Sequence, residues 1–398
     1  MKTTAQQQRA WTGPVILKNG FRLFFLMAGL WAVLAMVLWI LTLTGAVSLP
    51  SALDPVSWHA HEFLWGYFTA VMAGFLLTAV PNWTGRLPVV GWPVATLAGL
   101  WLLGRMAVAV SAWLPPVVTT LADAAFLAGL AIVLGREIII GRNWRNLMVV
   151  AMVVLLLIGN ILYHLEVIMG AYAAEDIGLR VGLGAAVMLI LLIGGRVTPS
   201  FTRNWMVKQG LTKLPASLGR FDQIALLGAG VAVISWIFAP TATLTAELNL
   251  LAGALNLVRL ARWQGHKTWR EPLVLVLHFG FGFTAIGFLS IGLAHFSTGV
   301  FAVAGAQHVW MVGGIGTMTL AMMTRASLGH SGRALTATPS ISLIYFAIIA
   351  ATLTRFAAGV FEPHDLLISI AGGFWLLAFG SFVVIFWPIL VRAPIKRG

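Results

Sequence analysis

The sequence contains no cysteine, and charged residues make up only 9% of the chain. Without cysteine there are no disulfides, thiolate-bound metals, iron–sulfur clusters or cysteine nucleophile, so any metal must be held by His, Met, carboxylate or a porphyrin. Hydrophobic residues reach 60% of the 398 residues, whereas soluble domains carry roughly 25% charged residues. The composition therefore excludes a soluble enzyme and indicates a polytopic membrane protein.

Acidic residues are scarce, with 12 against 25 Lys and Arg, which leaves a formal net charge of +13. Nucleic-acid binding would require a basic face on a water-soluble fold, so we expect no nucleic acid partner. Lys and Arg collect in the cytoplasmic loops of membrane proteins. The positive charge therefore predicts an orientation in the bilayer.

Apolar segments long enough to cross a bilayer as helices, about 20 residues each, occur twelve times. Basic connections alternate with acidic or neutral ones, which predicts an even number of spans with both termini in the cytoplasm. The expected fold is all-α, with a single membrane domain at 21–391 between a cytoplasmic segment at 1–20 and a basic tail at 392–398. The spans are 21–47, 58–80, 90–113, 115–135, 146–168, 178–197, 223–240, 243–261, 272–295, 300–323, 340–361 and 366–391.

Part of the second span resembles part of the tenth. Segment 61–86 aligns without a gap with segment 308–333, and the two close with Thr84-Gly85-Arg86 and Ser331-Gly332-Arg333. Spans one to four are therefore predicted to repeat as spans nine to twelve in parallel four-helix units. The sixth span, predicted to end at Gly194-Gly195-Arg196, indicates a weaker third copy in spans five to eight.

Three arginines lie in the outer halves of spans: Arg105, Arg180 and Arg355. An Arg inside a span costs at least ~2.5 kcal/mol unless it is paired. One interpretation is an ion pair with an acidic residue at the same depth. The other is a clamp on the carboxylates of a buried anionic cofactor, for which the guanidinium is well suited. The acidic candidates are Glu62, Asp123, Glu166 and Glu247.

Five of the nine histidines lie within spans or at their ends. An imidazole at such a depth is a functional hypothesis by default, and two on facing helices suit a haem iron or a copper. A single buried His is more often a hydrogen-bonded structural residue, so each histidine keeps both interpretations. The five are His59, His61, His164, His278 and His308.

Neighbouring residues add to these candidates. Asn160 lies four residues before His164 on the same helix face, so its amide would orient the ring. Met318 lies on the helix face of His308, where a thioether serves either as a metal ligand or as packing. Small residues next to these histidines let another helix or a flat ring approach closely. They are Gly280, Gly282, Gly313, Gly314 and Gly316.

Several strings of the sequence resemble the NnrS family, and together they extend over nearly the whole chain. The departure that we find is Leu23, where the family is expected to carry Pro. The strings are Phe21 to Phe25, Trp58 to Glu62, Ala79 to Arg86, Leu102 to Arg105, Ile193 to Val197 and, most specific, Met318 to Arg333.

This resemblance implies a multi-pass protein of the bacterial inner membrane that carries haem b and also copper and acts in the response to nitric oxide and nitrosative stress. We expect haem to be held by His61 or His59 together with His308. A second metal centre would involve His164 or His278. The residues expected to anchor the haem propionates are Arg105 and Arg355.

The preferred function is binding of nitric oxide or a related small molecule, with turnover or sensing. Turnover would need an electron donor and would make the protein an oxidoreductase similar to nitric oxide reductase. Haem–copper oxidases offer a fold analogy, but the sixth and seventh spans hold no His for their copper triad. Two alternatives stay open: a twelve-helix small-molecule transporter, disfavoured by the near absence of acid in the membrane interior, and a non-catalytic protein for haem or copper delivery or sensing.

Overall fold

The computed structural model describes residues 10–297 and 302–393. Within these residues the chain is helical and contains no β-strand. Twelve long helices follow one another, which confirms the all-α fold with twelve helices. They are α1 (Gly20–Leu43), α2 (Pro55–Thr84), α3 (Trp92–Ala109), α4 (Pro116–Ile140), α5 (Leu147–Ile168), α6 (Ile177–Lys208), α7 (Arg220–Phe238), α8 (Thr243–Ala261), α9 (Pro272–Phe296), α10 (303–330), α11 (Pro339–Ala357) and α12 (His364–Val391).

Eleven of these helices in the described chain are long and apolar enough to cross a membrane, judged by length and composition alone. The remaining one is α10, where Gln307, His308 and several Gly and Thr residues lower the hydropathy. The predicted tenth span at 300–323 begins outside the described residues. Residues 1–9 of the predicted N-terminal segment and 394–398 of the predicted basic tail also lie outside them.

Three helices each contain a π-helical segment. These are Glu62–Phe68 in α2, Ile190–Gly194 in α6 and Val309–Gly316 in α10. In α2 and α10 the segment begins at the residue directly after the histidine that the sequence repeat aligns, His61 or His308. Such segments are rare and often lie at functional sites. The predicted repeat between these two helices therefore extends to the backbone conformation.

The same two helices also terminate alike. Gly85 follows α2 with φ 68° and Gly332 follows α10 with φ 76°. A left-handed residue after the last turn is favourable for glycine because it has no Cβ to clash. These turns explain why both copies of the repeat carry Gly before the closing Arg.

The expected end of the sixth span was wrong. Gly194-Gly195-Arg196 lies inside α6, which continues to Lys208 and is followed by Gly210 with φ 72°. The apolar run stops near Arg196, but helical hydrogen bonding does not require apolar residues. The extension keeps a buried face of its own that includes Thr198, Thr202 and Met206.

The chain divides into two compact units, which we describe separately. Unit 1 comprises the described residues up to Ala185, 326–334 and those from Phe382 onward, and unit 2 comprises 186–325 and 335–381. In unit 1 the buried Arg22 caps the C-terminus of α12. Its Nη1 donates to the carbonyls of Ile389, Leu390 and Arg392 at 2.8–3.0 Å. Carbonyls at a helix C-terminus otherwise lack partners.

Glycines bring α5 and the start of α6 into close contact within unit 1. A Cβ at Gly159 would lie 2.8 Å from the backbone nitrogen of Gly182 and 3.0 Å from the carbonyl oxygen of Gly178. Larger residues would therefore force the two helices apart. This contact fixes the part of α5 that carries Asn160 and His164.

Candidate metal centre

Six polar side chains meet in the interior of unit 1, and each of them is at most 4% exposed. They come from four consecutive helices, α2 to α5. Buried polar groups of this kind are costly unless they are paired with one another. We call this set the acid–histidine cluster, and its members are His61, Glu62, Arg105, Asp123, Asn160 and His164.

Asp123 lies at the centre of the acid–histidine cluster. Its Oδ2 is 2.9 Å from Nε2 of His61 and 3.0 Å from Nε2 of His164. The same oxygen accepts a hydrogen bond from Nδ2 of Asn160 at 2.6 Å. One carboxylate oxygen thus joins two imidazoles on α2 and α5.

Arg105 binds both carboxylates of the cluster. Its Nη1 donates to Oε1 of Glu62 at 2.6 Å, and its Nη2 donates to Oδ1 of Asp123. The ion-pair interpretation of this arginine therefore describes the structure, since two of its four acidic candidates are its partners. Propionates at Arg105 would have to compete with these two carboxylates. Burying a charge in this way is tolerated because its partners are in direct contact.

Asn160 acts on a different group from the one expected. Its amide donates to Asp123 and lies 3.3 Å from Nε2 of His61, rather than contacting the ring of His164. The prediction that it orients His164 was therefore wrong. The helix spacing places the amide and His164 on one face, and both side chains then point at the same carboxylate.

Glu62 completes the environment of His61. Its Oε1 lies 3.1 Å from Nδ1 of His61, so each ring nitrogen of this histidine has a carboxylate oxygen within hydrogen-bond distance. An imidazolium has donors at both nitrogens. With one imidazolium and one guanidinium against two carboxylates, the cluster is electrically neutral. The carboxylates alone outweigh Arg105 by one charge, so the cluster favours a bound cation over an anion.

Aromatic side chains fix the ring of His61. The ring centroids of Trp65, Tyr163 and His164 lie 5.1, 5.5 and 5.2 Å from that of His61. Trp65 donates to the carbonyl of Leu156 at 2.9 Å, and the Tyr163 hydroxyl donates to a backbone carbonyl on α2 at 2.8 Å. The surroundings of His61 are therefore held by directional bonds as well as by packing.

The ligand atoms of His61, Asp123 and His164 lie within 4.8 Å of one another, and this is the one such group in the part of the chain that the structure describes. Two imidazoles and one carboxylate are the ligand set of many non-haem Fe(II) sites, and imidazole also suits copper and zinc. The residues fit a single metal ion. The packed rings around His61 do not fit a porphyrin.

The other expected ligand on α2 has a different environment. The ring of His59 stacks on Trp39 with a centroid distance of 4.4 Å and lies 4.6 Å from the ring of Phe63. His59 and His61 point to opposite sides of the helix, as their spacing predicts. The structure therefore brings His61, but not His59, together with His164.

Two expected ligands lie in unit 2. Nε2 of His278 is 2.8 Å from the hydroxyl of Thr202, and the ring packs against Gly265. Nδ1 of His308 is 2.6 Å from the carbonyl oxygen of Ala304, one turn earlier in α10. Because a carbonyl only accepts, that nitrogen carries the proton, and in this tautomer Nε2 is the nitrogen that can bind a metal.

Packing explains the small residues and the methionine near these histidines. A Cβ at Gly280 would lie 2.7 Å from Cγ of Met318, and one at Gly313 would lie 2.8 Å from Cβ of Phe283. Gly314 faces Thr284 in the same way. In this structure the glycines serve helix contacts, and Met318 fills the space that they leave.

The remaining two arginines in the outer halves of spans differ from Arg105. Nη1 of Arg180 donates to the backbone carbonyl of Glu175. Arg355 is partly buried, and with the described residues it makes no ion pair. Glu166 accepts from the backbone nitrogen of Gly178 at 2.7 Å. The propionate role therefore stays a prediction, for which Arg355 has fewer competing partners.

The sequence did not identify Asp123 as a ligand candidate, although it named this residue as a possible partner for Arg105. A carboxylate in the apolar part of a span is itself a sign of function. Its position on α4, between the helices of the two histidines along the chain, was the available signal. No spacing rule links residues so far apart.

Comparison with known proteins bears on this site. A model of the NnrS family, described as NnrS protein, matches residues 15–393, which is nearly the whole chain. No curated protein matches the sequence.

Proposed function

Because this chain belongs to the NnrS family, a membrane-protein family of the nitric oxide response, we propose that it is a bacterial inner-membrane metalloprotein that binds nitric oxide at a metal held by the acid–histidine cluster. The observation that carries the proposal is the approach of two imidazoles and one carboxylate within 4.8 Å in a buried position. Ionisable residues at such depth in membrane helices are usually functional.

His61, His164 and Asp123 would hold the ion. Glu62 fixes the ring of His61 through Nδ1 at 3.1 Å, and Arg105 holds both carboxylates in place. Partners of this kind around metal ligands typically contribute 10–100-fold, as an order of magnitude, to metal affinity. The charges and the geometry are thus supplied largely by the protein before an ion arrives.

Copper is the ion that the family resemblance implies, and the ligand set also suits iron. Either metal would supply an open coordination position for nitric oxide and a one-electron redox change. The protein contributes an apolar surrounding that an uncharged diatomic molecule can enter from the bilayer. Binding alone serves sensing, whereas turnover also requires an electron donor.

Haem b is a second proposed cofactor, and His308 is one of its candidate ligands. Its Nδ1 is 2.6 Å from the carbonyl oxygen of Ala304, so Nε2 is the nitrogen with a lone pair for the iron. His59 and His278 stay as further candidates. Haem at His61 is disfavoured, because both ring nitrogens lie near carboxylates and aromatic rings pack around it.

The test is the metal content of the full-length protein purified in detergent, followed by titration with nitric oxide under reductant. We expect about one copper or non-haem iron per chain and a nitrosyl electron paramagnetic resonance signal from it. His164→Ala should lower the metal content at least tenfold. His364→Ala changes an exposed histidine and is the matched control.

Wild-type protein without stoichiometric copper or non-haem iron, or His164→Ala protein that retains it, would contradict the proposal. Bound metal that gives no nitrosyl signal would contradict the nitric oxide part of the proposal and favour a delivery protein. Transport of a small molecule without any bound metal would favour the transporter.

A further inference from the structure

Unit 2 contains a second group of buried polar atoms, which the proposed metal centre does not use. Three hydrogen-bond donors line one face of α6 and have no acceptor among the described residues: Nη1 of Arg259, the hydroxyl of Thr198 and Nη1 of Arg325. Their side chains are buried, with exposures of 3%, 0% and 9%. Buried donors are nearly always satisfied in folded proteins.

The three donors contact α6 in order along its length. The guanidinium of Arg259 packs on Gly195, where a Cβ would lie 2.9 Å from Nη1. Thr198 is one turn further on, and the guanidinium carbon of Arg325 lies 4.1 Å from the ring centroid of Phe201. Residues three apart on a helix are neighbours on its surface. Arg259 therefore contacts α6 about one turn before Thr198, and Arg325 contacts it about one turn after.

Among the described residues no carboxylate contacts the guanidinium of Arg325. It makes no ion pair and no hydrogen bond with them, and it packs on the face of Phe201. Glu271, a buried carboxylate of unit 2, acts on Arg325 only through space and accepts from the backbone nitrogens of Leu273 and Ala337. A buried charge without a contacting counter-ion is costly.

The second carboxylate of this region is already paired. Asp222 is shared by two arginines, since its Oδ1 is 2.9 Å from Nε of Arg259 and its Oδ2 is 3.6 Å from Nη1 of Arg262. The side chain of Arg262 is 33% exposed, so water also reaches its charge. Of the three arginines, Arg325 is therefore the buried one that no carboxylate of the described residues contacts.

We propose that Arg325, Thr198 and Arg259 form a binding site for a small monovalent oxyanion. A planar anion with two or three oxygens, such as nitrite or nitrate, accepts in-plane hydrogen bonds from a guanidinium, as a carboxylate does. Its single charge would balance that of Arg325. The site is independent of the metal in the acid–histidine cluster, which favours a cation.

Nitrite is the probe, titrated by calorimetry into full-length protein in a buffer that contains excess chloride. We expect saturable binding that Arg325→Gln weakens at least tenfold, about the effect of losing one charge-assisted hydrogen-bond pair. Arg325→Lys should retain part of the affinity, because the charge stays and the fork is lost. Arg203→Gln removes an exposed arginine of the same helix and should bind nitrite as the wild type does.

Thr198→Val tests the site independently if the Arg325 variant misfolds, because it removes one hydroxyl and keeps the shape of the side chain. We expect it to weaken nitrite binding about threefold to tenfold, the loss of a single hydrogen bond. Protein depleted of metal by a chelator should still bind nitrite and should still lose it in Arg325→Gln, so failure of the metal proposal and failure of this one are distinguishable. Wild type that binds no nitrite, or Arg325→Gln that binds it equally well, would overturn the site.

A carboxylate of a larger cofactor has the same chemistry as the free anion. Titrations of haem-free and haem-loaded protein separate the two sources. Nitrite binding in both forms supports a free anion, and loss of binding in the haem-loaded form identifies a propionate as the occupant of the same site. Absence of binding in both forms contradicts it.

Discussion

The two copies of the repeat carry the same residues in different surroundings. His61 with Arg105 in unit 1 and His308 with Arg355 in unit 2 occupy equivalent positions, and a π-helical segment follows each histidine. In unit 1, Glu62 and Asp123 bind the arginine and the histidine.

The second copy lacks both acids. Residues 247 and 250 positions later, matching the offsets of the histidines and the arginines, are Val309 and Gly373. Arg355 accordingly makes no ion pair with the described residues. The two copies thus share the backbone conformation, the histidine and the arginine. The two acidic residues that the second copy lacks complete the candidate metal centre of unit 1.

Of the substitutions that test this comparison, removal of Asp123 should have the largest effect on stability and metal binding. Asp123→Ala leaves the buried Arg105 with one carboxylate and deprives two imidazoles of their common partner, which should cost about 3–5 kcal/mol of stability and abolish metal binding. Thermal unfolding in detergent and metal analysis measure both. Glu247→Gln, at an exposed acidic residue, is the control, and an Asp123→Ala protein as stable as this control would contradict the assigned role.

Replacing each of the two equivalent histidines with alanine should show which cofactor each copy of the repeat binds. His61→Ala is expected to lose at least tenfold in copper or non-haem iron content, because it removes a ligand of the proposed site. His308→Ala should keep this metal and lose haem. Metal analysis and the Soret absorbance report the two losses, and the reverse pattern would show that the cofactors are assigned to the wrong copies.

The paired and unpaired arginines offer a smaller, more specific test. We expect a coupling energy of about 1–3 kcal/mol between Glu62→Gln and Arg105→Gln in a double-mutant cycle, as for contacting residues. Arg355→Gln should change stability by less than about 1 kcal/mol, because no ion pair with a described residue is lost. Unfolding measured for the wild type, the two single variants, the double variant and Arg355→Gln gives both values, and additivity of the first pair would argue against the ion pair.

Asn160→Leu should affect metal binding less than the loss of Asp123 does. The amide is not among the proposed ligands, but it donates to Asp123 at 2.6 Å, so its loss should weaken metal affinity about tenfold. Competition with a chelator measures this change. Loss of metal as complete as in Asp123→Ala would mean that the amide is itself a ligand.

The sequence predicted the helices well and the site only in part. Twelve apolar segments could be predicted because each span is a local pattern of the sequence. The partners of Arg105 were among the four named acidic residues, because only acidic residues at the same depth were considered. The meeting of His61, Asp123 and His164 depends on how α2, α4 and α5 pack, and no local periodicity encodes it. The end of α6 was misplaced because hydropathy falls at Arg196, whereas the helix continues to Lys208.

X-ray absorption at the metal edge of the purified protein tests the central claim most directly. The account predicts a copper or iron whose first shell contains two imidazole nitrogens and a carboxylate oxygen at roughly 2.0–2.2 Å, distances usual for such ligands. The imidazole signal should fall by half in His164→Ala protein that still retains some metal. A first shell made only of the four pyrrole nitrogens and axial ligands of haem would contradict it.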